Sequence, residues 1–212
     1  MYAPKHFAKT DPVLLRDAIR RFGPGDLITY GSEGIEASLI PMLISDDVTT
    51  ITGHQAKANR QWSRADTSVP VLVIWRGADA FVSPNFYPSK SADGKVVPTW
   101  NYLVVQARGT IAFHHEREWK RSQVTALTDW HESGSAAPWS VDDAPDDYID
   151  GRLSAIVGFD IRVTSIEGKW KLSQNRSEED VAGVISGLTA KHEAGADQLA
   201  GEMVAETGSP PS

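Results

Sequence analysis

The chain has 212 residues, room for one large domain or two small ones, and its 41% hydrophobic and 23% charged residues are the composition of a globular protein. A net charge of −7 is a poor footprint for a nucleic-acid binder, and zero cysteines exclude disulfides, cysteine metal ligands and thiol catalysis. No apolar run approaches the ~20 residues of a membrane span. The segment Met1-Tyr2-Ala3-Pro4-Lys5-His6-Phe7 lacks the apolar core of a signal peptide, so the chain reads as cytoplasmic.

The first predicted element is a helix that begins at Asp11-Pro12, a capping residue followed by a proline at the first helical position. Leu14, Leu15, Ile19 and Phe22 form its apolar stripe, and Gly23-Pro24-Gly25 ends it. Residues 27–30 and 37–44 read as a hairpin around the turn 31–34, and the β-branched run 48–52 as the next strand. Gly53 is expected to turn the chain, and a short helix to begin at His54. Residues 69–75 and 80–83 read as strands, 84–98 as a polar loop, and 99–113 as a long strand. A helix over 116–131, an acidic loop over 134–150 and an alternating strand over 156–163 follow. Glu167-Gly168 is expected to turn the chain into Trp170-Lys171-Leu172-Ser173-Gln174-Asn175-Arg176. Ser177 with Glu178, Glu179 and Asp180 starts a helix to about 189. A weak helix and a disordered Gly-Ser-Pro-Pro-Ser tail close the chain. Six or seven strands with few intervening helices predict a mainly β, α+β protein built on an antiparallel barrel with peripheral helices. The expected domain runs over residues 1–190, with 191–212 as weak helix and tail.

The stretch from Thr50 to Trp62 carries the strongest hint of chemistry. A strand ending at a glycine and opening a helix leaves unpaired N–H groups that attract an anion. Lys57 would add a point charge there, and Thr52, His54 and Asn59 neutral donors. A phosphate anchor and an ordinary strand–helix junction with an exposed lysine are both open. Hydrolase and metalloprotease motifs are absent. His114 and His115 are neighbours on a strand, point to opposite faces and cannot easily share a metal. Trp100-Asn101 offers an indole and an amide to a planar heterocycle, or the edge of an aromatic core. The polar run 171–176 either closes over an anion or forms an exposed loop.

Several segments together resemble the PaiB family of FMN-binding negative transcriptional regulators. They are Met1–Phe7, Gly53-His54-Gln55-Ala56-Lys57-Ala58-Asn59 with Gln61-Trp62, and Ala80-Phe81-Val82-Ser83-Pro84. The others are Phe86-Tyr87-Pro88-Ser89-Lys90, Val97-Pro98-Thr99-Trp100-Asn101-Tyr102, Ile156-Val157-Gly158-Phe159 and Lys171-Leu172-Ser173-Gln174-Asn175-Arg176. The resemblance implies an FMN-binding split barrel, a homodimer, and FMN in clefts shared by both chains. It implies cofactor contacts from Ser38, Thr52, Gly53, His54, Lys57 and Asn59, with the phosphate on the segment 52–57. Thr99, Trp100 and Asn101 would line the cleft, and Lys171 and Gln174 would lie near the ring or phosphate. The chain departs from the family pattern where a His is expected at Leu39 and at Gln106, and a Pro at Arg60.

Three functions are compatible with these residues: a flavin-binding regulator, an FMN-dependent oxidoreductase acting on a small molecule, and a barrel that binds a partner without cofactor. Direct DNA binding conflicts with the C-terminal charge. From Ser177 onward only Lys191 is basic, against Glu178, Glu179, Asp180, Glu193, Asp197, Glu202 and Glu206.

Overall fold

A computed structural model describes residues 1–208. The strands are β1 (Ala8–Lys9), β2 (Gly25–Gly31), β3 (Gly34–Ile40), β4 (Met42–Ile44), β5 (Thr50–Ala56), β6 (Val71–Val82), β7 (Thr99–His114) and β8 (Ile156–Lys171). The helices are α1 (Pro12–Phe22), α2 (Gln61–Arg64), α3 (Lys90–Asp93), α4 (Arg117–Glu132), α5 (Asp146–Ser154), α6 (Glu178–Thr189) and α7 (Ala194–Thr207). The strands hydrogen-bond in the order β3-β2-β6-β7-β8-β5-β4, and β1 pairs with β8. The chain divides into two compact units. One comprises residues 1–10, 76–105 and 167–208, the other residues 11–75 and 106–166.

The unit built from 11–75 and 106–166 contains the β2–β3 hairpin, closed by Ser32-Glu33, with Gly31 opposite Gly34. Pro41 separates β3 from β4 where the sequence suggested one continuous strand; proline has no N–H to give to a ladder. β5 pairs antiparallel with β8 from Thr50↔Arg162 to Ala56↔Ile156. This pairing corrects the expected turn at Gly53 and helix at His54. The ladder holds the backbone extended through Ala56 despite its helix-forming composition, and the turn comes at residues 57–60. Gly53 is needed for a different reason: a Cβ there would lie 2.5 Å from the Phe159 ring. Ile51, Gly53 and Gln55 are buried, and Thr50, Thr52 and His54 half-buried, as a period of two requires. The core gathers Leu15, Ile19, Leu27, Ile51, Val73, Trp75, Phe159 and Ile161. Asp11 caps α1, accepting from the Leu14 N–H at 2.8 Å. The acidic stretch expected to be a loop contains α5, which buries Ile149 and Leu153 with Val141.

The other unit holds β1 on the end of β8, pairing Ala8 with Lys169 and Lys9 with Gly168. That pairing keeps β8 extended through the expected turn at Glu167-Gly168. α6 begins at Ser177, whose hydroxyl accepts from the Asp180 N–H, and Asp180 in turn takes the Ser89 N–H and hydroxyl at 3.0 and 2.8 Å. α7 is a 14-residue helix that buries Ala196, Leu199, Ala200 and Met203. Of the expected tail only Gly208 is described, as the C-cap of α7; residues 209–212 lie outside the described residues. Among the described residues no helix is long and apolar enough to cross a membrane.

Candidate functional site

Alternation along β5 turns Thr52 and His54 toward α4. His54 Nδ1 lies 2.7 Å from Gln123 Oε1, which ties β5 to α4 by a side-chain hydrogen bond. Gly158, the cross-strand partner of His54, leaves room for the Trp119 indole; a Cβ at 158 would sit 2.2 Å from it. Trp119 stacks on His114 at 4.1 Å, and His114 Nε2 lies 2.5 Å from Asp160 Oδ1, opposite Thr52. His114 is thus a paired, partly buried group, and no three candidate ligands for a metal come together among the described residues.

The turn after β5 is fixed from several directions. The Lys57 N–H donates to the Ala155 carbonyl at 2.8 Å and the Asn59 N–H to Ala56 at 2.9 Å. Asn59 Nδ2 donates to Ser38 Oγ at 2.8 Å, tying the turn to β3. The buried Gln61 amide donates to the carbonyls of Leu27 and Glu36 and to Thr29 Oγ1. The Trp62 indole donates to the Lys57 carbonyl at 3.0 Å. The turn also carries the side chain of Lys57. It is exposed and makes no hydrogen bond or ion pair among the described residues.

Behind it lies Lys120 of α4, 7% exposed. Its ammonium donates to the Leu153 carbonyl at 2.6 Å and the Ile156 carbonyl at 3.4 Å, bracketing the Ala155 that receives Lys57. Burial first, and then the charge of Lys57, push the Lys120 ammonium below the usual lysine range; Glu116 opposes the shift. The structure therefore ties Asn59, in the turn that carries Lys57, to Ser38 of β3 and shows His54 bound to Gln123. Gly53 is placed inside the core.

The remaining candidates fall in the unit that contains residues 76–105 and 167–208. Lys171 Nζ donates to Thr99 Oγ1 and, at 2.6 Å, to the Trp100 carbonyl. The half-exposed Trp100 indole donates to Asp79 Oδ1 at 2.8 Å and lies beside Phe81. Asn101 is fully buried: Nδ2 donates to Ser173 Oγ at 2.9 Å while Oδ1 has no partner. Gln174 folds onto its own turn, accepting from the Leu172 N–H and donating to the Trp170 carbonyl. The sequence marks Trp119 and Gln123 only as one side of an amphipathic helix and gives no signal for Lys120.

For FMN, the test is the donor set. An exposed lysine without an acid partner, a buried ammonium behind it and a rigid turn fit a phosphate dianion. A half-exposed indole held by Asp79 fits a planar ring. The antiparallel sheet with peripheral helices is the architecture of a flavin-binding split barrel. The family model described as "Putative FMN-binding domain" matches residues 1–165. The chain is 31% identical over 202 residues to the Protease synthase and sporulation protein PAI 2 of Bacillus subtilis (strain 168), covering 94% of this chain and 95% of that one. An uncharacterized protein of Emericella nidulans is 32% identical over 188 residues, covering 73% and 75%. The chain belongs to this FMN-binding-domain family, the PaiB family of the motif resemblance, and FMN is the cofactor that membership assigns. Two solved structures show the same fold. The flavocytochrome Anf3 from Azotobacter vinelandii has TM-score 0.59 and 11% identity, covering 85% of this chain and 78% of that one. The FAD and heme binding protein from Mycobacterium smegmatis has TM-score 0.57 and 15% identity, covering 82% and 78%.

Proposed function

We propose that this protein is a cytoplasmic homodimer that holds FMN by its phosphate at the Lys57 turn and acts as a negative regulator through a small molecule or a protein partner. The observation that carries the reading is Lys57: an ammonium without a partner among the described residues, on a turn fixed by Ala155, Ser38 and Gln61. Thr52 and Asn59 supply neutral donors at the same turn. FMN, when bound, supplies electron and hydride transfer. The chain's own task is to bind the phosphate, orient the ring and shield it from water.

Dimerisation is supported by β3, a terminal strand whose Ile35 and Leu39 are 76% and 66% exposed, beside the exposed Tyr30 of β2. The acid-rich sequence from Ser177 onward argues against direct DNA contact. The test is titration of the purified protein with FMN and with riboflavin, followed by absorbance. Saturable FMN binding that weakens in Lys57→Gln, with riboflavin binding unaffected, supports the reading; equal affinity for both flavins in the unmodified protein refutes it. A gel-shift titration over salt tests regulation, and tight, sequence-selective DNA binding would replace the indirect mode with a direct one.

A further inference from the structure

The unit built from 11–75 and 106–166 holds a small cavity, and none of the candidate FMN contacts lines it. It encloses about 90 Å³ where the end of α1, the start of β4 and the end of α4 meet. The residues that end those elements leave the space. Gly23 stops α1 with a φ of 84°, and a Cβ there would meet nothing within 4 Å. Pro41 breaks β3 from β4 with a rigid ring that has no N–H to offer. Met42 and Leu43 add apolar surface, and Trp130 adds an indole.

Two lining side chains are basic: Arg20 in the last turn of α1 and His131 in the last turn of α4. The Arg20 Cζ lies 4.9 Å from the centre of the Trp130 ring. Arg20 Nη2 donates to the Ile44 carbonyl at 3.3 Å and to Asp46 Oδ1 at 2.7 Å. Its Nε and Nη1, and the His131 imidazole, make no hydrogen bond among the described residues. The guanidinium is therefore fixed in place with donors to spare. Asp46 shows that this guanidinium takes a carboxylate, but 85% of the Asp46 side chain is exposed. A pair so open to water is weak, so the guanidinium retains attraction for a second carboxylate.

Size narrows the tail. A cavity of about 150 Å³ admits benzene, so the smaller one here suits a chain of about three to five carbons. Basic donors beside an apolar space match a molecule with an apolar tail and one acidic head.

We propose that this cavity binds a short-chain aliphatic carboxylate, its tail against Pro41, Met42 and Leu43 and its head on Arg20 and His131. The isotope-labelled, FMN-loaded full chain is titrated with sodium butyrate. The Trp130 indole N–H signal, assigned by its loss in Trp130→Phe, is followed by NMR. Saturable movement is expected, with a dissociation constant of the millimolar order that so few ligand atoms permit. Binding is expected to weaken ~10-fold in Arg20→Gln and ~3-fold in His131→Ala, the losses for a charged and a neutral hydrogen bond. n-Butanol and n-butylamine, which lack the acidic head, are expected to bind at least ~10-fold more weakly than butyrate. Leu43→Phe fills the space and abolishes the movement, which carries the test if Arg20→Gln does not fold. Lys57→Gln leaves butyrate binding unchanged, which separates this site from the flavin phosphate. Equal binding of the alcohol, no saturable movement in the unmodified protein, or loss of butyrate binding in Lys57→Gln overturns the proposal.

Discussion

Two lysines do different work within one small region. Lys57 is exposed and available, whereas Lys120 is buried and spends its ammonium on the carbonyls of Leu153 and Ile156. Lys57→Ala is expected to weaken FMN binding by roughly 1.5–3 kcal/mol, the range for a charge-assisted hydrogen bond, in a fluorescence or absorbance titration. Lys120→Met keeps much of the stem but abandons both carbonyls, and is expected to cost about 1–3 kcal/mol in chemical denaturation at neutral pH. The pH dependence follows from the direction of the Lys120 shift. Its folded-state affinity for a proton is below the usual lysine value of 10.5, so the unfolded chain binds more protons as that value is approached. Stability of the unmodified protein relative to Lys120→Met therefore rises with pH through the window between the lowered folded value and 10.5. A difference that falls with pH would contradict the burial of the charged group.

At the level of elements, β5 and its neighbours depend on two close approaches. Gly53→Ala would drive a methyl into the Phe159 ring, 2.5 Å from the Cβ position, and Gly158→Ala would drive one into Trp119 at 2.2 Å. Each is expected to cost about 1–3 kcal/mol, the range for overpacking a filled site, read as a lowered melting temperature. The same elements show what could be read from residue order. The β-branched run before Gly53, the capped start of α1 and the acidic start of α6 were legible because each signal is local. The continuation of β5 through Ala56 was not, because it depends on a ladder with β8 about a hundred residues away, which overrides local helix propensity. Likewise Glu167-Gly168 reads as a turn until β1 is laid against it. Lys57 and Lys171 were legible as charges in polar runs. Lys120 was not, because its role comes from Leu153 and Ile156, which only folding brings to it.

For the whole molecule, family membership fixes FMN as the cofactor, and the charge distribution frames what else can bind. The acid-rich α6 and α7 face any nucleic acid with repulsion. Leu39→Glu, placed on the exposed side of β3, is expected to convert a dimer to monomers in light scattering while leaving far-ultraviolet circular dichroism unchanged. A dimer that survives this change would move the contact away from β3. The apolar row Tyr30, Ile35 and Leu39 also has a practical outcome for anyone handling the protein. In the proposed dimer those side chains are covered, so the melting point is expected to climb as the sample is concentrated. In a variant unable to cover them, the same edge becomes the place where turbidity begins.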